Sequence, residues 1–111
     1  MMRQYEIWLA NMNPAKGTVV GKVRPVAIIQ TDLLNDIHPS LIVCPLTTNI
    51  NKEIKLLRVH VGKKYLEAES DILVDQITAI DKKRLLRRLG KLNQVQVELL
   101  RSNLKVVLEL S

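Results

Sequence analysis

Apolar positions fall in short runs separated by polar, glycine- or proline-bearing stretches as far as residue 93, where their spacing becomes helical. Residues 6–11 carry Ile7, Trp8 and Leu9 and predict a short, mostly buried strand with Trp8 in the core. Asn13-Pro14-Ala15-Lys16-Gly17 is a turn signal, and the loop it opens runs to Gly21-Lys22. Residues 23–30 predict a second strand. Pro25 has no N–H to give to a ladder, which puts the start of that strand at a sheet edge or a bulge. A polar excursion over 31–40 leads to a third strand, 41–46, ending in Thr47-Thr48-Asn49. Residues 54–61 alternate imperfectly and predict a fourth strand, followed by a turn at Gly62-Lys63-Lys64. The apolar pattern of 71–74 resumes at 77–80; Asp75-Gln76 interrupt it with two polar side chains available to face a groove.

Six of the ten residues 82–91 are basic and none is acidic. Leu85, Leu89 and Leu92 have helical spacing, yet Gly90 weakens a helix by about 1 kcal/mol relative to alanine. The expectation is one short helical turn at Asp81 and then an extended segment. The basic run either tracks a phosphate backbone or is a solvated face. Asn93-Gln94-Val95-Gln96 has the form of a capping box and opens the clearest helix. Val97, Leu100, Leu104, Val107 and Leu108 form one stripe, which Leu99, Val106 and Leu110 widen. Such a face either docks one-sidedly on a sheet or is shared with a second subunit. The composite is mainly β, five or so strands with long loops and a C-terminal helix. It predicts a small, strongly curved sheet or partial barrel with the helix packed on it.

At 111 residues the chain reads as a single domain, 1–111, able to bury about 65% of its unfolded surface. The net charge of +6 favours an anionic partner, nucleic acid foremost, over the alternative of a merely solvated basic surface. The single cysteine, Cys44, excludes an internal disulfide, fits a reducing cytosol and reads as a small buried hydrophobe. No signal peptide and no membrane span is expected, which predicts a cytoplasmic protein. Neither His38 nor His60 has a cysteine, carboxylate or second histidine at ligand spacing, so no metal site is predicted. The clearest chemistry belongs to Arg24, at the mouth of the second strand behind Gly17 and Gly21. Its guanidinium stays charged and carries five donors in a fixed fork, a shape that fits a phosphate. The residues alone lead to a small basic barrel that binds an anion.

Taken in order, Glu6-Ile7-Trp8-Leu9, Asn13-Pro14, Lys16-Gly17, Val23-Arg24-Pro25-Val26, Pro45-Leu46-Thr47, Asp75-Gln76 and Ile80-Asp81 resemble the MazF/PemK toxin family over nearly the whole chain. The resemblance implies an SH3-like barrel that dimerises. It implies a sequence-specific endoribonuclease that cleaves single-stranded RNA and stops translation, with no cofactor and no metal. It also implies an antitoxin partner, MazE-like, whose acidic, disordered tail occupies the RNA groove. By position, Arg24 matches the family's catalytic arginine and Thr47 its catalytic threonine. Asp75 matches an acidic position that some members use as a base; the arginine two residues earlier in those members is Leu73 here. Thr18, Lys22, Thr48, Asn49 and Gln76 are the candidate RNA-binding residues.

The sequence also departs from the family. Gly17-Thr18-Val19-Val20 stands where Gly-Ser-Glu-Gln is common, so a loop carboxylate is missing. Thr78 stands where an arginine is usual, and Tyr5-Glu6 where Gly-Asp is usual. Two other readings of the same barrel stay open at this point. One is a non-catalytic module that binds RNA or an antitoxin. The other is a toxin that poisons a protein such as a gyrase.

Overall fold

The computed structural model of the chain describes residues 1–13, 22–54 and 56–111. Among them are β1 (Glu6–Asn11), β2 (Val23–Ile28), β3 (Ser40–Thr47), β4 (Arg58–Val61), β5 (Ser70–Leu73), β6 (Thr78–Asp81) and β7 (Leu85–Lys91). The helices are a single turn, α1 (Asp32–Asn35), and the long α2 (Gln94–Val107). All pairings are antiparallel, in the order β4-β5-β3-β2-β1-β7, with β6 also on β3.

Two features curl this sheet into a half-barrel. β3 changes partner along its length, pairing β6 through residues 40–43 and β5 through Leu46 and Thr47. The β1–β7 ladder shifts register twice, between Ile7 and Trp8 and between Leu9 and Ala10. Such irregularities bend a strand and sharpen its twist. β6 and β7 are joined by the three-residue 3-10 turn Lys82–Arg84, so the strand on β3 leads directly to the strand on β1. Asp81 caps that turn, its side chain accepting from the Lys83 N–H at 2.8 Å.

Alternation along the strands sends side chains to two cores. Ala10, Met12, Val26, Ile28, Leu41, Val43 and Ile80 form one, with Met2, Trp8 and Leu85 packed against it. Ile7, Ala27, Cys44, Leu46 and Ile72 form the other, which receives Leu100 of α2 and, at its border, Val97, Leu104 and Val107. The predicted capping box is present. Asn93 Oδ1 accepts from the Gln96 N–H at 2.8 Å and Gln96 Oε1 from the Asn93 N–H at 2.9 Å. Val95, Leu99, Val106, Leu108 and Leu110 remain exposed, so the apolar face of the helix is wider than the surface it covers.

Several expectations need correction. The fourth strand starts at Arg58, not at 54, and the second ends at Ile28, not at 30. Among the described residues seven strands stand where five or so were expected, because the basic 82–91 run supplies β7 and the 71–80 run splits at the 3-10 turn Val74–Gln76. Pro25 lies on an interior strand, paired with Leu9 of β1. The ladder to β3 begins only at Val26, one residue past the missing N–H. Trp8 is half-buried at the border of its core rather than inside it, and its Nε1–H donates to Glu6 at 3.0 Å. The 31–40 excursion holds α1, capped by Thr31 and anchored by the buried pair Gln30 and Asn35. Cys44 is a buried hydrophobe as expected. Burial first, and then the charge of Asp75, push its thiol up to about 12.

Candidate active site

α2 packs over β4 and the 74–76 turn and leaves part of its side of the sheet uncovered. The uncovered part is the floor of a cleft of about 640 Å³. Its middle is a cross-strand row: Arg87 of β7 faces Leu9 of β1, and Leu9 faces Pro25 of β2. Opposite residues in a ladder share a face, so the three side chains meet. Leu89 extends the floor, and Tyr65, Leu66 and Glu67 wall one side.

The other wall is where β2 and β3 part. Their register, Val26 opposite Pro45, places Arg24 opposite Thr47 when continued by two residues on each strand. No ladder forms there. Instead Arg24 reaches across with its side chain, and its Nη1 donates to the Leu46 carbonyl at 3.2 Å. Partial burial lowers the guanidinium's pKa from its ordinary value. Thr47 Oγ1 accepts from the Asn49 N–H at 3.1 Å, which leaves the hydroxyl hydrogen to donate elsewhere. Lys22 enters the cleft from a left-handed backbone conformation, φ 60°, an uncommon state for a side-chain-bearing residue. Its carbonyl accepts from the Met12 N–H at 2.9 Å.

The cleft thus gathers Arg24, Thr47, Lys22, Thr48 and Asn49 from the sequence reading. Asp75 and Gln76 do not line it. The 74–76 turn points Val74 into the core and leaves Asp75 exposed on the side where α2 packs. Thr78 pairs with Val43 on β6, also away from the cleft. Thr18 and the Gly17-Thr18-Val19-Val20 segment lie outside the described residues. Tyr65, Glu67 and Arg87 were not singled out beforehand. Arg87 was legible only in part: it shares the face of Leu89, but the register shift between Leu9 and Ala10 turns Leu85 to the other core, which alternation along 85–91 does not foresee. Tyr65 was not, because its place depends on a long-range fit. A Cβ at Gly90 would lie 2.5 Å from the Tyr65 ring, so only glycine lets the ring lie down there. The ring is then tied by its hydroxyl, which donates to the Lys91 carbonyl at 3.0 Å.

Behind the Thr47 wall sits an ion-paired cluster. His60 Nδ1 is 3.0 Å from Asp71 Oδ1, and its Nε2 is 3.5 Å from Glu69. The hydrogen bond to Asp71 raises the imidazole pKa, opposed by partial desolvation and aided by Glu69. A histidine pKa raised on folding stabilises the fold below its unfolded value, about 6.5, and that contribution is lost as pH rises through the folded value. The difference in melting temperature between the parent and His60→Gln is therefore expected to be fully present below the unfolded value of about 6.5 and to shrink as pH rises above it through the raised folded value. A difference that is constant or grows with pH would contradict the assignment. Among the described residues no group of three or more His, Cys, Asp or Glu is placed to hold a metal ion. Likewise no helix there is long and apolar enough to cross a membrane.

Known proteins agree with this architecture. The sequence profile of the PemK-like, MazF-like toxins of type II toxin–antitoxin systems matches residues 3–108. A curated relative, endoribonuclease MazF of Staphylococcus epidermidis, is 41% identical over 96 residues, which are 85% of this chain and 80% of that protein. MazF of Deinococcus radiodurans superposes with a TM-score of 0.84 at 18% identity, covering 97% of this chain and 96% of that one. An endoribonuclease from a mycobacterial species, solved with its cognate antitoxin, superposes at 0.82 with 15% identity, covering 100% and 98%. At such identities the structures speak for the fold, a mainly β half-barrel with a C-terminal helix; the profile and the curated relative speak for kinship. The chain belongs to the family of PemK-like, MazF-like toxins of type II toxin–antitoxin systems.

Proposed function

We propose that this protein is a sequence-specific, metal-independent endoribonuclease toxin that cleaves single-stranded RNA in the cleft between β2, β3 and β7 and so inhibits translation. The observation that carries the reading is the convergence of Arg24 and Thr47 where the β2–β3 ladder opens, in a cleft that also holds Lys22 and Arg87. Attack of a 2′-OH on the neighbouring phosphorus builds negative charge on the phosphoryl oxygens. A fixed guanidinium and a hydroxyl with its hydrogen to spare stabilise that charge, each worth about 3 kcal/mol in a preorganised site. Glu67, the carboxylate that lines the cleft among the described residues, is the acceptor offered to the 2′-OH proton. Thr48 and Asn49 present polar groups to the bases. Asp75 and Gln76 receive no step in this scheme, because they lie off the cleft. A gyrase-type poison has no use for the Arg24 and Thr47 pair.

Purified protein incubated with a long single-stranded RNA tests the reading. The products are expected to end in a 2′,3′-cyclic phosphate and a 5′-OH, at the same rate with and without EDTA. Duplex RNA is expected to resist, since its base edges are locked in the helix. Activity that disappears in EDTA and returns with magnesium would sink the metal-independent scheme.

The same reading includes a homodimer, an acidic antitoxin partner and a cytoplasmic site of action. Val95, Leu99 and Val106 are exposed at spacings that put them on one side of α2. A stripe of this kind is stabilised when a second subunit covers it. Sedimentation at micromolar concentration is expected to show a dimer, and Leu99→Glu with Val106→Glu to shift it to monomer. A parent that stays monomeric at every accessible concentration removes the idea.

A further inference from the structure

Asp71 is the one charged side chain fully buried among the described residues, only 3% exposed. A buried carboxylate is costly unless it is paired and hydrogen-bonded. Its place on β5 shows what it is paired for. It lies directly across from Thr47 on one side and from His60 on the other. Its Oδ2 accepts from Arg58 Nη1 at 3.2 Å, and its Oδ1 meets His60. The same Arg58 nitrogen gives its second N–H to the Asn49 carbonyl at 2.8 Å. The Asn49 N–H in turn goes to Thr47 Oγ1. Both backbone groups of Asn49 are thus held, one by the threonine of the cleft and one by the guanidinium that Asp71 aims.

We propose that Asp71 and Arg58 are positioning residues for RNA cleavage, fixing the turn of residues 47–49 and with it the direction of the Thr47 O–H and the wall against which bases are read. The proposal rests on reading the cleft as the site of cleavage. Thr48 and Asn49 are exposed, and within the turn the Thr48 carbonyl accepts from the Ile50 N–H at 3.1 Å. A hydroxyl on an unanchored turn samples many directions, and a misplacement of about 1 Å lowers a rate by about a hundredfold. The Arg58 bridge ties this local turn to the sheet, and it is itself held at one end by the buried carboxylate of Asp71.

A purely structural ion pair and a positioning pair respond differently to replacement by hydrophobic side chains. Exchange of a buried pair for well-packed apolar groups commonly preserves stability. In the double variant Arg58→Met with Asp71→Leu the fold is kept while the donor to Asn49 is lost. Parent, double variant, Asp71→Asn and Arg24→Ala are compared by single-turnover cleavage, by the set of sites cut in a long RNA, by thermal melting and by amide exchange at Asn49. The double variant is expected to melt close to the parent yet to cleave about tenfold to a hundredfold more slowly, with half-saturating RNA changed by no more than about threefold. Cleavage is expected to spread to sites the parent spares, and the Asn49 amide to exchange faster. A double variant that cuts the same sites at the parent rate, with Asn49 protection unchanged, overturns the proposal. If the parent cuts no RNA, the functional reading fails by itself. Exchange at Asn49 then decides the positioning claim alone: faster exchange in the double variant supports it and unchanged protection overturns it.

Discussion

Arg24→Ala is expected to cleave RNA about a hundredfold more slowly than the parent at saturating protein, the rate equivalent of about 3 kcal/mol of lost transition-state stabilisation. The fold should survive. The structure gives Arg24 a hydrogen bond to the Leu46 carbonyl, and loss of one such bond costs about 1 kcal/mol, or about 5 °C in melting temperature for a domain of this size. Arg24→Lys keeps the charge but not the fork. One ammonium cannot both hold the Leu46 carbonyl and present a planar pair of donors to a phosphoryl group, so Lys should fail nearly as badly as Ala. RNA binding should weaken far less, because Lys22 and Arg87 remain in the cleft. If Arg24 only braced the open end of the β2–β3 ladder, melting would fall and the single-turnover rate would not. A stable Arg24→Ala protein that cuts at the parent rate would overturn the catalytic assignment.

What could be read from the sequence was local or nearly so. The capping box of Asn93 and Gln96 and the short turn at Asp81 need only neighbours along the chain, and both are present. The half-barrel followed from strand-length apolar runs, Arg24 as an anion-binding group from its place at the mouth of a strand, and Thr47 only from the resemblance to the toxin family. Extending the β2–β3 register past its last pair sets those two residues opposite each other. What was missed depends on distant pieces meeting. His60 has no acidic neighbour in sequence, yet the β4–β5 register sets it against Asp71, and the same hairpin brings Glu69 within reach. Gly90 read as a helix weakener, whereas its role is to make room for Tyr65. Asp75 and Gln76 read as groove-facing because polar residues broke an apolar run. The break is a 3-10 turn that buries Val74, and neither polar residue lines the cleft. Strand ends were misjudged where apolar residues such as Leu56 stay exposed, since a hydrophobic pattern reports affinity for a core and not arrival in it.

RNA affinity is expected to fall about a hundredfold over a tenfold rise in salt. Among the described residues Lys22, Arg24 and Arg87 give the cleft three cations against the single carboxylate of Glu67. Each phosphate neutralised on a single strand releases counterions and contributes a slope of about 0.7 log units per decade of salt, so three contacts give about two decades. The remaining basic residues of the 82–91 run steepen this if the strand extends along β7, and charge reversal there should lower the slope while leaving the single-turnover rate nearly unchanged. The same cations suit the acidic tail of an antitoxin, which presents carboxylates at a spacing a flexible chain can adjust. An acidic tail peptide and RNA should therefore exclude each other, the apparent affinity for RNA falling in proportion to bound peptide, and peptide binding should show a salt slope of the same sign. Titrating labelled RNA against peptide at two salt concentrations measures both. A ternary complex in which each ligand binds with its solitary affinity would show that the tail docks elsewhere, and a salt-independent RNA affinity would show that the cations of the cleft do not hold the strand.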